Sequence, residues 1–404
     1  MTGPSGEGPG ALLLDLSRLV SRVGRGPFTG IDRVEAAWLD ALLDRPGGFA
    51  LVRAAPGYVL LDREGAGALR ARLTGEVPWG RPDLLSRLHL RQRPERRRAM
   101  ADLRRLALGA TPGGPRRLLA RHLPARTVWI ATGHANLTPQ VFDAVHALPG
   151  GRAAVLIHDT IPLDHPEFSR PEASASFAAR FALTGARADL VFYNSAATRA
   201  AAEARFAAAG RVPPGLVAPL GVTPPAEGPR PKGLDRPYCL VLGTVEPRKN
   251  HAFLLDLWER LAAGPGPTPL LVIAGARGWR NTAVFARLDA RPAHVLEIPG
   301  PDDATVSALI RHAHAVLFPS LAEGFGLPAA EAAAAGVPVV CNDLPVLREV
   351  LGAYPRFAPV TDMDAWCLHI LDLCDPTRPA RRLTPPPLPG WDGHVASVLA
   401  ALAR

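Results

Sequence analysis

The sequence predicts an α/β protein made of two successive doubly wound domains. Three observations carry that prediction. From Thr127 to Tyr193 short apolar stretches alternate with helical ones, the pattern of a parallel sheet covered on both faces. A second series of the same kind runs from Tyr238 to Cys341. Between them, Val212 to Arg236 is dense in proline and glycine without a hydrophobic period, as a connection between domains is. Length agrees, because 404 residues exceed one ordinary core.

In chain order, Leu12 to Leu16 reads as a buried first strand, and a loop rich in glycine and arginine leads into a helical pattern from Asp32 to Leu43. Leu51 to Asp62 reads as a strand pair. From Arg81 to Arg126 the sequence is strongly basic and mainly helical, with Arg96, Arg97 and Arg98 in a row and Leu103, Leu106 and Leu108 interleaved. Strands are then expected at Thr127 to Ala131, Ala153 to His158 and Leu190 to Tyr193. The second series places them at Tyr238 to Leu242, Pro269 to Ala274, Val295 to Ile298, Ala315 to Leu317 and Val337 to Cys341. After Pro385 to Pro389, a last helix from Trp391 to Arg404 is expected to cross back to the first domain. The expected division is 1–222, a linker at 223–236, a second domain at 237–385 and the crossing helix at 386–404.

Composition narrows the function classes. Hydrophobic residues at 48% and charged residues at 21% suit a soluble globular chain. A net charge of +9 favours anionic partners without choosing among them. The start, MTGPSGEGPGALLLDL, lacks the basic region of a secretory signal, and no apolar run is long enough for a bilayer. A cytoplasmic protein, peripheral at the inner membrane face through its basic belt, is therefore expected. The four cysteines match no zinc spacing and are expected as buried thiols.

The densest chemical signal is FPSLAEGFGLPAAE, Phe318 to Glu331. A strand ends there, a glycine turn permits close backbone approach, and Pro328 is placed to open a helix. Free N–H groups at a helix tip bind phosphate or sugar hydroxyls, and the carboxylates of Glu323 and Glu331 suit hydroxyl groups. In LGTVEPRKN, the Gly243 turn is followed by the cations Arg248 and Lys249, a set suited to a diphosphate. In LIHDTIPL, His158 and Asp159 end a strand at the carboxyl edge of a parallel sheet, where ligands bind. His158 can hydrogen-bond a sugar or handle a proton, with Asp159 orienting it. His134, Asn136 and Asn194 also follow strands.

EGFGLPAAEAAAAGVPVV resembles the Glu-x7-Glu motif of family 4 glycosyltransferases and their GT-B relatives. LGTVEPRKN is similar to the GTxEPRKN signature of many members, several of them mannosyltransferases. IHDTIPLDHPEF resembles the family's HD(L/I)IP segment, TGIDRVE its early glycine loop, and AGARGW its AG-x-RGW loop near the nucleotide base. The resemblance is dense from Tyr238 to Leu351, patchy before that, and weakest from Leu61 to Arg126. It departs at Thr223-Pro224, where the family commonly has an acidic residue at the hinge.

The resemblance implies a GT-B fold, two Rossmann-like domains facing a cleft. It implies retaining transfer of a hexosyl group from a nucleotide-diphosphate sugar, GDP-mannose first, to a hydroxyl of a polysaccharide or lipid-linked glycan. His158, Glu323, Arg248 and Lys249 are then catalytic. Gly30, Gly243, Thr244, Arg277, Gly324, Phe325, Gly326, Leu327 and Glu331 bind the donor, with Glu331 on the ribose. His134, Asn136, Asp159 and Asn194 lie on the acceptor side. No cofactor or metal is expected, since fixed cations serve the leaving group and Asp362-Met363-Asp364, with metal-motif spacing, falls at a helix entry. Arginines interleaved with leucines in the basic belt fit an anionic membrane surface. Nucleic acid is disfavoured because that belt has no aromatic residue before Trp129, and a dehydrogenase because no G-x-G-x-x-G follows either first strand. The alternative from another class is a catalytically silent GT-B scaffold or sugar-sensing subunit, which the intact Glu323, Glu331, Arg248 and Lys249 disfavour.

Overall fold

A computed structural model describes residues 9–54, 56–88 and 93–403. The first eight residues, on which the signal reading partly rests, residues 89–92 of the basic belt and Arg404 lie outside it. The first sheet contains β1 (Ala11–Asp15), β2 (Gly48–Arg53), β3 (Tyr58–Leu61), β4 (Gly109–Thr111), β5 (Thr127–Ala131), β6 (Arg152–Ile157), β7 (Leu190–Tyr193) and β8 (Gly215–Val217). Their order is β4-β3-β2-β1-β5-β6-β7-β8. The second sheet contains β9 (Tyr238–Leu242), β10 (Leu270–Ala274), β11 (Val295–Ile298), β12 (Ala315–Phe318), β13 (Val339–Cys341) and β14 (Arg356–Phe357), in the order β11-β10-β9-β12-β13-β14.

The apolar runs become central parallel strands because such strands are buried on both faces. Leu12 to Leu14 of β1 register with Val128 to Ile130 of β5 and with Gly48 to Ala50 of β2. In each sheet the strand order reverses at one place, between β1 and β5 and between β9 and β12. Those two crevices are where open α/β sheets bind ligands, and the two lobes turn them toward each other.

Three strands were not expected from the sequence. β4 lies in the stretch read as helical, and it pairs antiparallel with β3 through Val59↔Ala110 although GAT carries no apolar alternation. β8 lies inside the proline-rich stretch read as connection, yet Leu216 pairs with Phe192. β14 is two residues long. β13 begins at Val339 rather than Val337, after Pro338, a residue with no N–H to give a ladder.

The basic belt folds largely into its own lobe. In the helix Pro94–Arg105, Leu103 is fully buried. Arg93 and Arg96 donate to the carbonyls of Gly24 and Ser21, and Arg104 and Arg105 pair with Asp83 and Asp102. Arg81, Arg98, Arg116, Arg117 and Arg121 are exposed. Cys239, Cys341 and Cys374 are buried, Cys367 is half-buried, and none is bridged. Among the described residues, no helix is long and apolar enough to cross a membrane.

The chain returns from the second lobe to the first along residues 376–390. Leu383 donates its N–H to Gly336, Val222 donates to Pro389, and the helix Trp391–Leu402 then packs on the helix Gly30–Leu43. His394 is the polar centre of that packing. Its Nε2 accepts from the Trp38 indole at 3.1 Å while Nδ1–H donates to the Ala218 carbonyl at 3.0 Å. His394→Phe, similar in volume, orphans the buried Trp38 donor, and the expected cost is about 1–3 kcal/mol. The measurement is a urea titration, in which the midpoint falls at an unchanged slope; an unchanged midpoint refutes the role.

Candidate active site

β9 ends in the turn Gly243-Thr244, whose Gly243 has φ +125°. A side chain there is strained, and a Cβ would also lie 3.3 Å from Lys249 Cε. Glycine thus gives the loop its conformation and leaves room for the lysine. Past the short turn Pro247–Lys249, Asn250 takes a left-handed φ of +54°, a state asparagine tolerates, and the helix His251–Ala263 begins. This reversal aims Arg248 and Lys249 at the loop after β12.

There both cations converge on one acid. Lys249 Nζ and Arg248 Nη1 each lie 2.7 Å from Oε1 of Glu323, whose side chain is 8% exposed. Arg248 also pairs with Glu246 at 2.8 Å and donates to the Ala322 carbonyl. Lys249 Nζ sits 4.5 Å from the Phe318 ring centroid, a cation–π distance. Burial works to raise the Glu323 carboxyl, but Arg248 and Lys249 together hold it at about 2. It is therefore ionised at any physiological pH.

The next residue brings in the other lobe. A Cβ on Gly324 would stand 2.0 Å from the His158 carbonyl oxygen at the end of β6, so only glycine permits this approach. Ser195 Oγ, after β7, donates to the Gly324 carbonyl at 3.0 Å. Phe325 is buried, and Gly326, with φ +88°, precedes the helix Leu327–Ala334. A Cβ on Gly30 would lie 3.6 Å from Leu327 Cδ1, so the two lobes also meet there. Glu331, one turn into that helix, pairs with Arg33 at 2.5 Å.

Two expectations for the first lobe need correction. His158 Nε2–H donates to the Thr132 carbonyl at 2.6 Å, and burial pushes the ring down to about 3. A ring that weakly basic stays uncharged at neutral pH, and with Nε2–H committed to Thr132, His158 presents Nδ1 as an acceptor rather than serving as a proton donor. Asp159 does not orient it. That carboxylate instead accepts from the Ile161 N–H, and it is raised by burial against the pull of Arg248.

The remaining acceptor-side residues hold the crevice from beneath. His134, at φ +58°, bonds through Nε2 to the Leu156 carbonyl and lies 5.4 Å ring to ring from His158. Asn136 is 1% exposed and gives Nδ2 to Asp15, while Asn194 gives Nδ2 to the His158 carbonyl. Arg277 pairs with Glu297 and Asp289. Two residues on, Trp279 donates to the Phe168 carbonyl and Arg280 to Ser169, both across to the first lobe. The sequence reading missed Arg33, Trp279 and Arg280, although TGIDRVE and AGARGW contain the first two. Asp362 caps the helix Met363–Leu373 and Asp364 pairs with Arg260. Among the described residues, no group of three or more His, Cys, Asp or Glu is arranged to hold a metal.

Residues 227–383 match the family described as glycosyl transferases group 1. Over 136 residues the chain is 35% identical to O-antigen chain mannosyltransferase B of Escherichia coli, covering 33% of this chain and 36% of that protein. It is 28% identical over 239 residues to the serotype-specific mannosyltransferase WbdA of Escherichia coli, covering 54% and 29%. The MMP alpha-(1->4)-mannosyltransferase of Mycolicibacterium hassiacum is 38% identical over 171 residues, covering 41% of each. The chain thus spans about a third of the length of the first two relatives. Among solved structures, Anabaena Alr3699/HepE in complex with UDP and glucose superposes with a TM-score of 0.59 at 16% identity, over 98% of this chain and 94% of that one. Sucrose-phosphate synthase from Thermosynechococcus elongatus gives 0.50 at 19%, over 71% and 73%. These likenesses concern the fold, and the two facing lobes are the GT-B arrangement.

Burial holds His134 and His251 at about 4, His158 at about 3, and His314 and His394 below their ordinary value of 6.5. Unfolded, all of them take protons near 6.5, so below that pH the unfolded chain binds more protons than the folded one. The contribution of these rings to stability is therefore full above pH 6.5 and falls as pH drops toward 4, by up to roughly 1.4 kcal/mol per pH unit for each ring that stays neutral. Urea midpoints at pH 7.5 and 5 check this; equal midpoints would mean the rings are solvated.

Proposed function

The second lobe carries a glycosyl transferases group 1 domain over residues 227–383, and on that premise we propose that the chain is a retaining hexosyltransferase. Its donor is a nucleotide-diphosphate sugar, GDP-mannose first, and its acceptor a hydroxyl of a polysaccharide or lipid-linked glycan. The observation that carries the reading is the convergence of Arg248 and Lys249 on Glu323, 2.7 Å from each, where Gly324 touches the first lobe. Relatives named as mannosyltransferases support the choice of sugar.

In this reading the donor diphosphate takes the place of the Glu323 carboxylate on the two cations. It also accepts from the free amides at the tip of the helix Leu327–Ala334. Glu323, released, accepts hydroxyl hydrogens of the sugar. The bond from the anomeric carbon to the diphosphate breaks with its electron pair on the phosphate oxygen, the acceptor hydroxyl oxygen forms the new bond on the same face, and its proton passes to that departing phosphate oxygen. Fixed positive groups favour that departure because charge grows there in the transition state. His158 Nδ1 accepts from a sugar hydroxyl on the facing wall. Glu331 holds the ribose.

Cations so placed make a divalent metal unnecessary, and we expect none to be needed. The exposed arginines 81, 98, 116, 117 and 121 keep an anionic membrane surface in the proposal. Co-sedimentation with liposomes that ignores anionic lipid removes that part alone.

The decisive assay follows release of GDP from GDP-mannose, with and without EDTA, for wild type and Lys249→Ala. Turnover unaffected by EDTA and lowered roughly 10²- to 10³-fold by the substitution is expected, the size of losing one leaving-group donor. GDP is expected to raise the melting temperature more than UDP, dTDP or ADP. Strict manganese dependence, or no stabilisation by any of the four, overturns the reading; a wild type that binds nucleotide without turnover makes the chain a silent scaffold.

A further inference from the structure

Arg33 belongs to the first lobe, yet its guanidinium lies on the second. Nη1 is 2.5 Å from Glu331 Oε1 and Nη2 is 3.2 Å from Asp303. The placement is built in from the start of its helix. Thr29 N–H and Oγ1 both donate to Asp32 Oδ2, at 2.8 and 2.7 Å. That carboxylate, fully buried, is further gripped by Arg18, in the helix Ser17–Ser21, at 3.0 Å and by Arg22, just past its end, at 3.2 Å. Both arginines follow directly on β1, so the first sheet, the buried Asp32 and the helix tip form one rigid mount. The next residue along that mount is Arg33.

Around the pair lies a cavity of about 410 Å³ between the lobes, lined among others by Phe28, Asp303, Leu327 and Trp391. Arg33 bonds one oxygen of Glu331, and Glu331 itself lines this crevice. A cation held by rigid packing orients its partner carboxylate better than a solvated one.

Resting on the function proposed above, we propose that Arg33 is a positioning residue for the donor ribose: it fixes Glu331, charged, so that the second oxygen accepts the ribose hydroxyls once the lobes close. Nucleotide affinity and lobe closure are thereby tied through one ion pair. The charges facing Glu331 are Arg33 from the first lobe and Asp303 from the second, with Asp40 on the same cavity wall. Burial and Asp303 both push the Glu331 carboxyl up, and Arg33 opposes them. Without the arginine, Glu331 takes a proton nearer neutral pH and becomes a poorer acceptor.

Initial rates with GDP-mannose test this for wild type, Arg33→Ala, Arg33→Lys, Glu331→Gln and the double variant, between pH 6 and 8. Arg33→Ala is expected to raise KM about tenfold with kcat changed far less, as when uniform donor binding is lost. Its KM should climb further as pH falls, while wild type stays level. Arg33→Lys restores the level profile with part of the affinity, because lysine keeps the charge but not the fork. The double variant is expected to be no worse than Glu331→Gln alone. A wild-type KM and profile in Arg33→Ala overturn the inference, as does tighter donor binding, which would make Arg33 a competitor of the ribose. A wild type that neither binds nor turns over a nucleotide sugar sinks the underlying function and this inference together; the variant results separate the two failures.

Discussion

One buried carboxylate sets the terms for the rest of the structure. Glu323 sits between Arg248 and Lys249 with almost no access to water, and removing such ions from solvent costs several kcal/mol each, about as much as their attraction returns. An apolar trio would hold the lobe together as well or better. What charge provides is a pair of fixed, dry cations that an incoming anion can claim by displacing Glu323. The backbone is bent around it: Gly243 at φ +125° makes room for the Lys249 stem, Asn250 at +54° turns the chain into its helix, and Phe318 lies beneath the ammonium.

The contacts that join the lobes differ in kind from those within them. Each sheet is packed in aliphatic and aromatic side chains, and the final helix adds Val395, Val398 and Leu402 to that core. Across the cleft, polar ties are added to an apolar cluster that runs through both lobes: Ser195 to Gly324, Glu349 to the N–H groups of Ala196 and Ala197, Trp279 to Phe168, Arg33 to Glu331. Water replaces such bonds at little net cost, whereas it cannot replace buried apolar area.

How much of this was legible follows from what each feature depends on. The central strands were, because burial on both faces writes itself as an unbroken apolar run. β4 and β8 were not, since GAT and GLV owe their pairing to a neighbouring strand edge rather than to their own pattern. In the second lobe, the glycine turn, the adjacent cations and Glu323 lie in two short sequence stretches that the structure brings to one point, while Glu331, further into the helix, faces Arg33. In the first lobe the same reading went wrong. Asp159 follows His158 directly, which suggested a pair, but consecutive side chains at a strand end point apart, and His158 found its partner in Thr132, 26 residues earlier. Arg33 carries no local signal of its role, because its partner is 298 residues away.

That correction of His158 assigns the two walls different work. With His134 and His158 both donating Nε2–H to backbone carbonyls and both far below neutral in basicity, the first lobe offers neutral acceptors near β5 and β6. Such groups suit uncharged hydroxyls and do nothing for a phosphate. The second lobe holds Arg248 and Lys249 and a helix tip, which suit a phosphate, with the Glu323 carboxylate beside them. A molecule with an anionic end and a polyhydroxyl end is oriented by that asymmetry before any specific contact forms. In the proposed reaction the bond to be broken lies between its two ends, at the seam where Gly324 brings the two walls together.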